Sequence, residues 1–452
     1  MAESKIFVKK CVLLPSKGEE SSLKEEQNIT AGVTAVDYFE SIERPSIFLS
    51  VRFIDVDQLI GRLGVTGGEF VDLTVIYGDE ENEFKITEKD HQLILNGVKD
   101  ITTEFNKQTA TLEFISVENY IDETARVNKK YTGNISDTVF ELLVGDKKGI
   151  QTKKTLFGPK KTDDGSEDRA TNSYSFVGNL KHPFEVIQGL CAKAQSAKDN
   201  FGFLFYENLD GYHFRSIESL LDQESLPPYF YTDSPFDSED RPIILQNKVE
   251  STNDIGLNCR LGMYANKTIY IDIENQEASV DDFSIEQLKL RKPPKLMEGL
   301  EKHPTRLMLR VDDVGVAQVG AAKGDVQPKS ELAKYQNKSY IRNNLLFSQC
   351  LRISIPLNTT LRVGLILEIK LPVKKGDGKT ETGTYGTDKT NDPSGRYLIA
   401  ELRHLIGREK AETQLKLIRD VFTPDKSQIT DSGELVKADN RHYGSTFPPG
   451  SF

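Results

Sequence analysis

Six histidines, four cysteines and 69 carboxylates are the raw material for chemistry here, and their spacing offers little of it. Gly378-Lys379-Thr380 ends as a phosphate-binding loop ends, with a lysine for phosphate and a hydroxyl for magnesium. The position that must hold the earlier glycine is Val373, however. The segment also lacks the strand-then-helix context that points backbone N–H groups at a phosphate. Gly315, Gly320 and Gly324 are wrongly spaced for a dinucleotide fingerprint. No His-Glu-x-x-His run sets two imidazoles on one helix face for zinc, and no Gly-x-Ser-x-Gly elbow occurs. His404 shares strand parity with Leu398, Ala400 and Leu402, which reads as a partly buried, hydrogen-bonded imidazole rather than a base. Asp281-Asp282, Asp312-Asp313 and Glu80-Glu81 meet the two-carboxylate minimum of a glycosidase, yet each reads better as solvated loop charge. Cys11, Cys191, Cys259 and Cys350 are far apart and mostly in apolar runs, so they read as buried free thiols. No catalytic, cofactor-binding or metal-ligating residue is therefore assigned.

Composition narrows the classes further. The chain has 452 residues, ample for at least two cores and about three units at roughly 150 residues each. Its 58 basic and 69 acidic residues give a net charge of −11. That argues against nucleic-acid binding through a broad basic face, but not against DNA passing through a like-charged channel. Mean hydropathy is −0.45. No run approaches the ~18 apolar residues a spanning helix needs, so no membrane is expected as a partner. Met1 to Val8 lacks an apolar signal region, so no export is expected.

The elements are mostly strands. Residues 6–14 read as one, ended by Pro15. In 47–54, Ile47, Leu49, Val51 and Phe53 share a face. A short amphipathic turn at 57–63 leads to Gly67-Gly68, and Val71, Leu73 and Val75 resume period two. Runs at 92–98 and 110–117 repeat the pattern, with Leu112 and Phe114 facing one way. From 125 to 240 the character is α+β. Asn134 caps a helix through 143, Pro183 opens a second, and Glu207 to Gly211 turns a hairpin. Residues 145–172 read as a polar, mobile loop. Beyond Pro242, 257–261 and 268–273 read as strands joined by a turn at Ala265-Asn266-Lys267. Leu351, Ile353 and Ile355 alternate, as do Leu365, Leu367 and Ile369 after Gly364. Residues 373–395 read as a solvated loop, strands return at 398–402 and 415–417, and 423–452 reads as an extended C-terminal tail.

Three stretches carry a resemblance. They are Gly262 to Asp272, Leu345 to Gly364 with its strand to Pro372, and Ser394 to His404 with Leu417-Ile418-Arg419-Asp420. Together they resemble the baseplate hub proteins of T-even-like contractile-tailed phages, and more distantly the spike base of type VI secretion. Residues 31–77, with Tyr38-Phe39-Glu40-Ser41-Ile42 and Gly67-Gly68-Glu69-Phe70-Val71, are similar to that family's first tube domain. Pro183 to Ile187 and the Asp210-Gly211-Tyr212 hairpin are similar to its middle domain. The likeness spans most of 30–422 and rests on the order of strand-turn phrases, with no single chemical signature. The loops at 145–172 and 373–395 and the tail have no counterpart in it.

The reading is thus a β-rich α+β fold with two tube-type β-barrels, the second discontinuous, and an α+β middle domain. The first barrel takes 1–120. The peripheral α+β domain takes 125–240 plus 284–345. The second barrel takes 244–283 plus 346–422. The two barrels are expected to be separate and superposable: one continuous sheet through both regions, or 284–345 lying across the bore, would make the duplicated-barrel reading fail and take from the hub assignment its main physical support. The resemblance implies a homotrimer whose six barrels match a tube hexamer to a trimeric spike protein, a bore passing DNA without specific binding, and no catalysis. It also implies contacts with tail-tube proteins and baseplate wedge or other hub proteins. The place implied is the virion baseplate, after assembly in the host bacterial cytoplasm. Two other classes remain: a polysaccharide or peptidoglycan hydrolase using two carboxylates, and a carbohydrate-binding module.

Overall fold

The computed structural model describes residues 6–420 apart from 17–22, 56–64, 66, 79–81, 88–90, 105–106, 146–148, 159–168, 197–200, 232–241, 253, 273–275, 286–302, 313–328, 375–379, 386–392 and 408–409. The turn expected at 57–63 and the tail at 423–452 lie outside the described residues.

The first β region holds β1 (Phe7–Leu14), β2 (Gln27–Asn28), β3 (Val33–Ser41), β4 (Phe48–Asp55), β5 (Phe70–Tyr77), β6 (Asn82–Ile86), β7 (Leu93–Glu104) and β8 (Lys107–Ser116). Its period-two faces behave as read: Leu49, Val51 and Phe53, then Val71, Leu73 and Val75, and Leu112 with Phe114, are all buried.

The middle unit follows, with β9 (Lys130–Tyr131), β10 (Leu156–Phe157), β11 (Phe176–Val177), β12 (Phe203–Asn208), β13 (Gly211–Ser216) and β14 (Ser225–Phe230). Asn134 caps helix Ile135–Phe140 by accepting the Ser136 N–H, and Pro183 is the first residue of helix Pro183–Cys191. The expected mobile loop is corrected between 149 and 157. Ile150 is buried there and β10 pairs parallel with β13, because a few apolar residues in a polar stretch suffice to anchor it.

After β15 (Gln246–Thr252) the reading departs from the structure. Residues 257–261 are not a strand but part of helix Ile255–Leu261. Asp254 Oδ1 accepts the Leu257 N–H, and Gly262 ends the helix at φ 71°. A short apolar run fits both periods, and here the caps decide. Ala265-Asn266-Lys267 likewise begins β16 (Ala265–Asp272) rather than turning. With β17 (Glu277–Ser284) and β18 (Arg306–Asp312) it makes a separate three-stranded sheet, ordered β17-β16-β18. Met263, Tyr264, Phe283 and Ile285 pack on Ile341 and Leu345 of helix Lys329–Leu346. So 254–285 goes with the peripheral insertion, and of 244–283 only the strand β15 joins the second β region. The face away from this core leaves Val280, Leu307, Leu309 and Val311 exposed.

The second region is completed by β19 (Gln349–Pro356), β20 (Ile366–Lys370), β21 (Pro372–Lys374), β22 (Thr380–Tyr385), β23 (Gly395–Gly407) and β24 (Ala411–Arg419). Pairing of β21 with β22 turns part of the expected solvated loop into a two-stranded ribbon.

The β-rich α+β class holds, but the expected separation of the two β regions does not. One sheet runs β15-β19-β24-β23-β3-β4-β8-β7-β5-β1-β2, because β3 pairs antiparallel with β23 from Ala35↔Gly407 to Ser41↔Glu401. The pairing gives a partner to β3 and to the part of β23 beyond its pairing with β20. Within this sheet a duplication is still visible. The order β3-β4-β8-β7-β5 recurs as β15-β19-β24-β23-β20, every neighbour antiparallel. A register break falls between Leu95 and Gly97 in β7 and between Ile399 and Glu401 in β23. Ahead of each stands a glycine turn. Gly68 donates to Leu95 O at 2.9 Å with φ 95°, and Gly364 to Ile399 O at 3.0 Å with φ 87°. One apolar cluster fills both regions and takes in Tyr206, Leu209, Ile217 and Leu220 of the middle unit. A second cluster lies inside the middle unit around Val139, Ile187 and Phe214.

Two stability outcomes follow from these positions. Leu73→Asp and Leu367→Asp each bury an unpaired carboxylate among fully buried neighbours and should cost at least several kcal/mol, enough to lose the cooperative urea transition. Gly364→Ala should cost more than Gly68→Ala. Both force a side chain to positive φ at about 1–2 kcal/mol, but a Cβ at 364 would also stand 2.1 Å from the Tyr206 hydroxyl, against 3.7 Å to Ser16 Cβ at 68. Equal losses in paired urea melts would refute this.

Candidate functional site

Two fully buried glutamates sit where the three parts of the chain meet. Glu40, on β3, accepts from the Tyr38 hydroxyl at 2.6 Å, the Leu209 N–H at 2.9 Å and the Val363 N–H at 3.0 Å. One carboxylate thereby ties the first β region, the β12–β13 turn and the second β region. Burial pushes its carboxyl up to about 7, against the pull of Arg362 and the three donors. Glu207, on β12, accepts from the Ser116 hydroxyl at 2.6 Å, the Ile47 N–H at 3.1 Å and Lys154 Nζ at 2.5 Å. Lys154 also reaches Glu118 at 2.7 Å, and Thr152 donates to Glu118 at 2.8 Å. Burial opposes the Lys154 charge, but the two carboxylates outweigh it and the ammonium is held above its ordinary range. Glu207 stays above the ordinary carboxylate range, because burial exceeds the help of Lys154.

Raised carboxylates are what general acids use. These two have no exposed surface, and the atoms around them are backbone donors, hydroxyls and one lysine. They act as junction anchors. His404 is also fully buried: Nδ1 lies 2.9 Å from Thr413 Oγ1 and the ring stacks on Tyr38 at 5.7 Å. Burial first, then Arg362, lowers it to about 3, so it is neutral. It is more deeply buried than its strand parity predicted. Asp281 accepts from Asn337 at 3.2 Å and Asp282 pairs with Lys267 at 3.2 Å, so that acidic pair faces protein cations and amides. Glu80, Glu81, Asp313, Gly315, Gly320, Gly324, Gly378 and Lys379 lie outside the described residues. Thr380 begins a strand, not the helix a phosphate loop requires. Among the described residues no group of three or more His, Cys, Asp or Glu could hold a metal ion. Cys11, Cys191, Cys259 and Cys350 are free thiols; burial lifts Cys11 to about 12.

The other notable feature is an open hollow of about 650 Å³ on the polar face of the shared sheet, across the β3–β23 join. Several of its charges are paired, and Arg44 and Lys248 line it as well. Arg403 Nε contacts both Asp37 carboxylate oxygens at 2.8 and 3.0 Å, and Lys416 meets Glu401 at 2.9 Å. Beside these, Arg352 meets Glu250 at 2.6 Å and Lys99 meets Glu113 at 2.6 Å. Period-two alternation places them: Glu401 and Arg403 face the hollow while Leu402 and His404 face the core. Sequence reasoning missed Glu40, Glu207 and Lys154, whose partners lie up to 323 residues away. The one available signal was an isolated glutamate on the apolar parity of a strand, Tyr38-Phe39-Glu40.

The raised Glu40 carboxyl gives a pH prediction. A group whose folded value lies above its unfolded value favours folding below the unfolded value, and that benefit is lost as pH rises through the folded value. Between about pH 4.5 and 7 the Glu40 contribution should fall by roughly 3 kcal/mol. In urea melts, the stability difference between the chain and Glu40→Gln should therefore change across this window. A difference constant from pH 4.5 to 8 would refute it.

No protein-family model matches the chain, and no curated protein is similar to it in sequence. Solved structures do match. The tail protein from Neisseria meningitidis MC58 is 11% identical with a TM-score of 0.52, covering 91% of this chain and 97% of that one. The 43 kDa tail protein of prophage MuSo2 from Shewanella oneidensis is 7% identical with a TM-score of 0.50, covering 91% and 99%. A component of the type VI secretion system of E. coli matches at a TM-score of 0.42 and 11% identity, covering 92% and 76%. The first two matches, which run almost the full length of both chains, show that this chain has the fold of phage tail proteins.

Proposed function

We propose that the chain is the structural baseplate hub of a contractile phage tail. Three copies form a ring of pseudo-six-fold symmetry that joins a hexameric tail tube to a trimeric cell-puncturing spike. The observation that carries this reading is the duplicated five-strand order, with its repeated register break and glycine turn. A chain with two like units lets a three-fold object present six like units to a six-fold one. The tail-protein fold supports it. The join of β3 with β23 runs one sheet through both regions, against the separate barrels expected, so the reading rests on the repeated strand order and not on two closed barrels.

The division of labour within the chain follows. The shared sheet is the wall of the ring. The middle unit and the 254–346 insertion sit on its outside, where helix Lys329–Leu346 meets the middle unit through Tyr335 on Phe201 and Arg342 on Glu218. The polar sheet face, with several of its charges paired, lines the bore, and DNA passes it without specific binding. The partners are other copies of the chain, the spike, tube proteins and neighbouring baseplate proteins, and the place of work is the virion. Catalysis is not part of the role.

Light scattering is expected to show a trimer of the chain, either for the purified chain alone, at three times the chain mass, or once the spike partner is present, at that mass plus the spike's. Monomer in both conditions would overturn the reading. The same preparation should leave peptidoglycan intact and should not retain duplex DNA at about 0.15 M salt, where a basic face would.

A further inference from the structure

The duplication makes a demand that the single chain does not meet. Inside it, the first strand of one unit, β3, pairs with the fourth strand of the other, β23, beyond that strand's register break. The equivalent strands are β15, first in the second unit, and β7, fourth in the first. Both have an open side. β15 ends the sheet path, and among the described residues its one partner is β19. β7 pairs with β5 only at Phe70↔Ile94, and from Gly97 to Glu104 it has β8 on one side and, among the described residues, no strand on the other. Open edges of this length are templates for another strand.

We propose that β15 of one copy of the chain pairs antiparallel with β7 of the next, reproducing between copies the join that β3 and β23 make within one. This deepens the hub reading and rests on it, by naming the surface through which the ring closes. The register can be transferred. Through their partners β4 and β19, Asp37 of β3 corresponds to Lys248 of β15, and Ala35 to Gln246. Through β8 and β24, Leu405 of β23 corresponds to Thr102 of β7, and Gly407 to Glu104. Leu405↔Asp37 within the chain therefore becomes Thr102↔Lys248 between copies, and Gly407↔Ala35 becomes Glu104↔Gln246. In this register Glu104 lies diagonal to Lys248, and Lys99, across a second register break of β7 between Lys99 and Thr102, falls beside Glu250. Ile101 and Val249, 50% and 39% exposed, lie at the same level and would be covered. The contact joins two different edges, so it propagates head to tail and closes as a ring.

The test places Thr102→Cys and Lys248→Cys together in the full chain. Both positions are exposed, so folding should be untouched. Directly opposed residues of an antiparallel pair bring their Cβ atoms to ~4.5–5.5 Å, close enough for a disulfide after small movement. Under mild oxidation the double variant is expected to give covalent dimers and trimers that reductant dissolves, while the unsubstituted chain and each single variant give none. Mixing the two single variants should yield covalent dimers only. A trimer by light scattering without cross-links would overturn the proposed edges and leave the hub reading standing. A monomer at every concentration, both alone and with the spike protein, with no cross-links, would overturn both.

Discussion

The pairing of β3 with β23 is the constraint on which the rest of the structure depends. Side chains alternate strictly along a strand, so fixing one register across this join fixes which face of each region is dry. His404 stands opposite Tyr38, and the two rings stack inside a common core. Arg403 and Asp37, one step away, meet on the wet face. A slip by one residue would carry the imidazole to solvent and the guanidinium into the core. Two regions that could each have closed on themselves thus share one sheet and one apolar cluster.

The buried carboxylates are the second consequence. Sharing a core leaves the middle unit to be seated on the junction, and Glu40 and Glu207 seat it. Each accepts backbone N–H groups that a hydrophobic contact could not satisfy, so position and orientation are specified together. The arrangement carries a desolvation penalty, visible in the raised carboxyls. Lys154 offsets part of it at Glu207, although it arrives from a stretch whose composition looks like free loop. Such a junction gives up net stability for a fixed geometry between units.

The sequence by itself determined most strands of the shared sheet, the starts of the helices at Ile135 and Pro183 and the hairpin, because period-two burial, the Asn134 cap and the fixed φ of Pro183 act through neighbours only a few residues away. It determined the class of the fold, and it held the duplicated glycines at 68 and 364. It failed first at 255–267, where a seven-residue helix was read as a strand and a strand start as a turn. Periodicity over so short a run is ambiguous, and the decisive cap at Asp254 is a single residue. Only the tertiary structure decided that β16 and β17 leave the second region for β18, that Lys154 belongs with Glu207, and that β3 and β23 merge the two halves. Each of these joins residues far apart in the chain through backbone hydrogen bonds or a buried charge. Such bonds take any side chain that fits the face, so they leave no motif in the sequence to read.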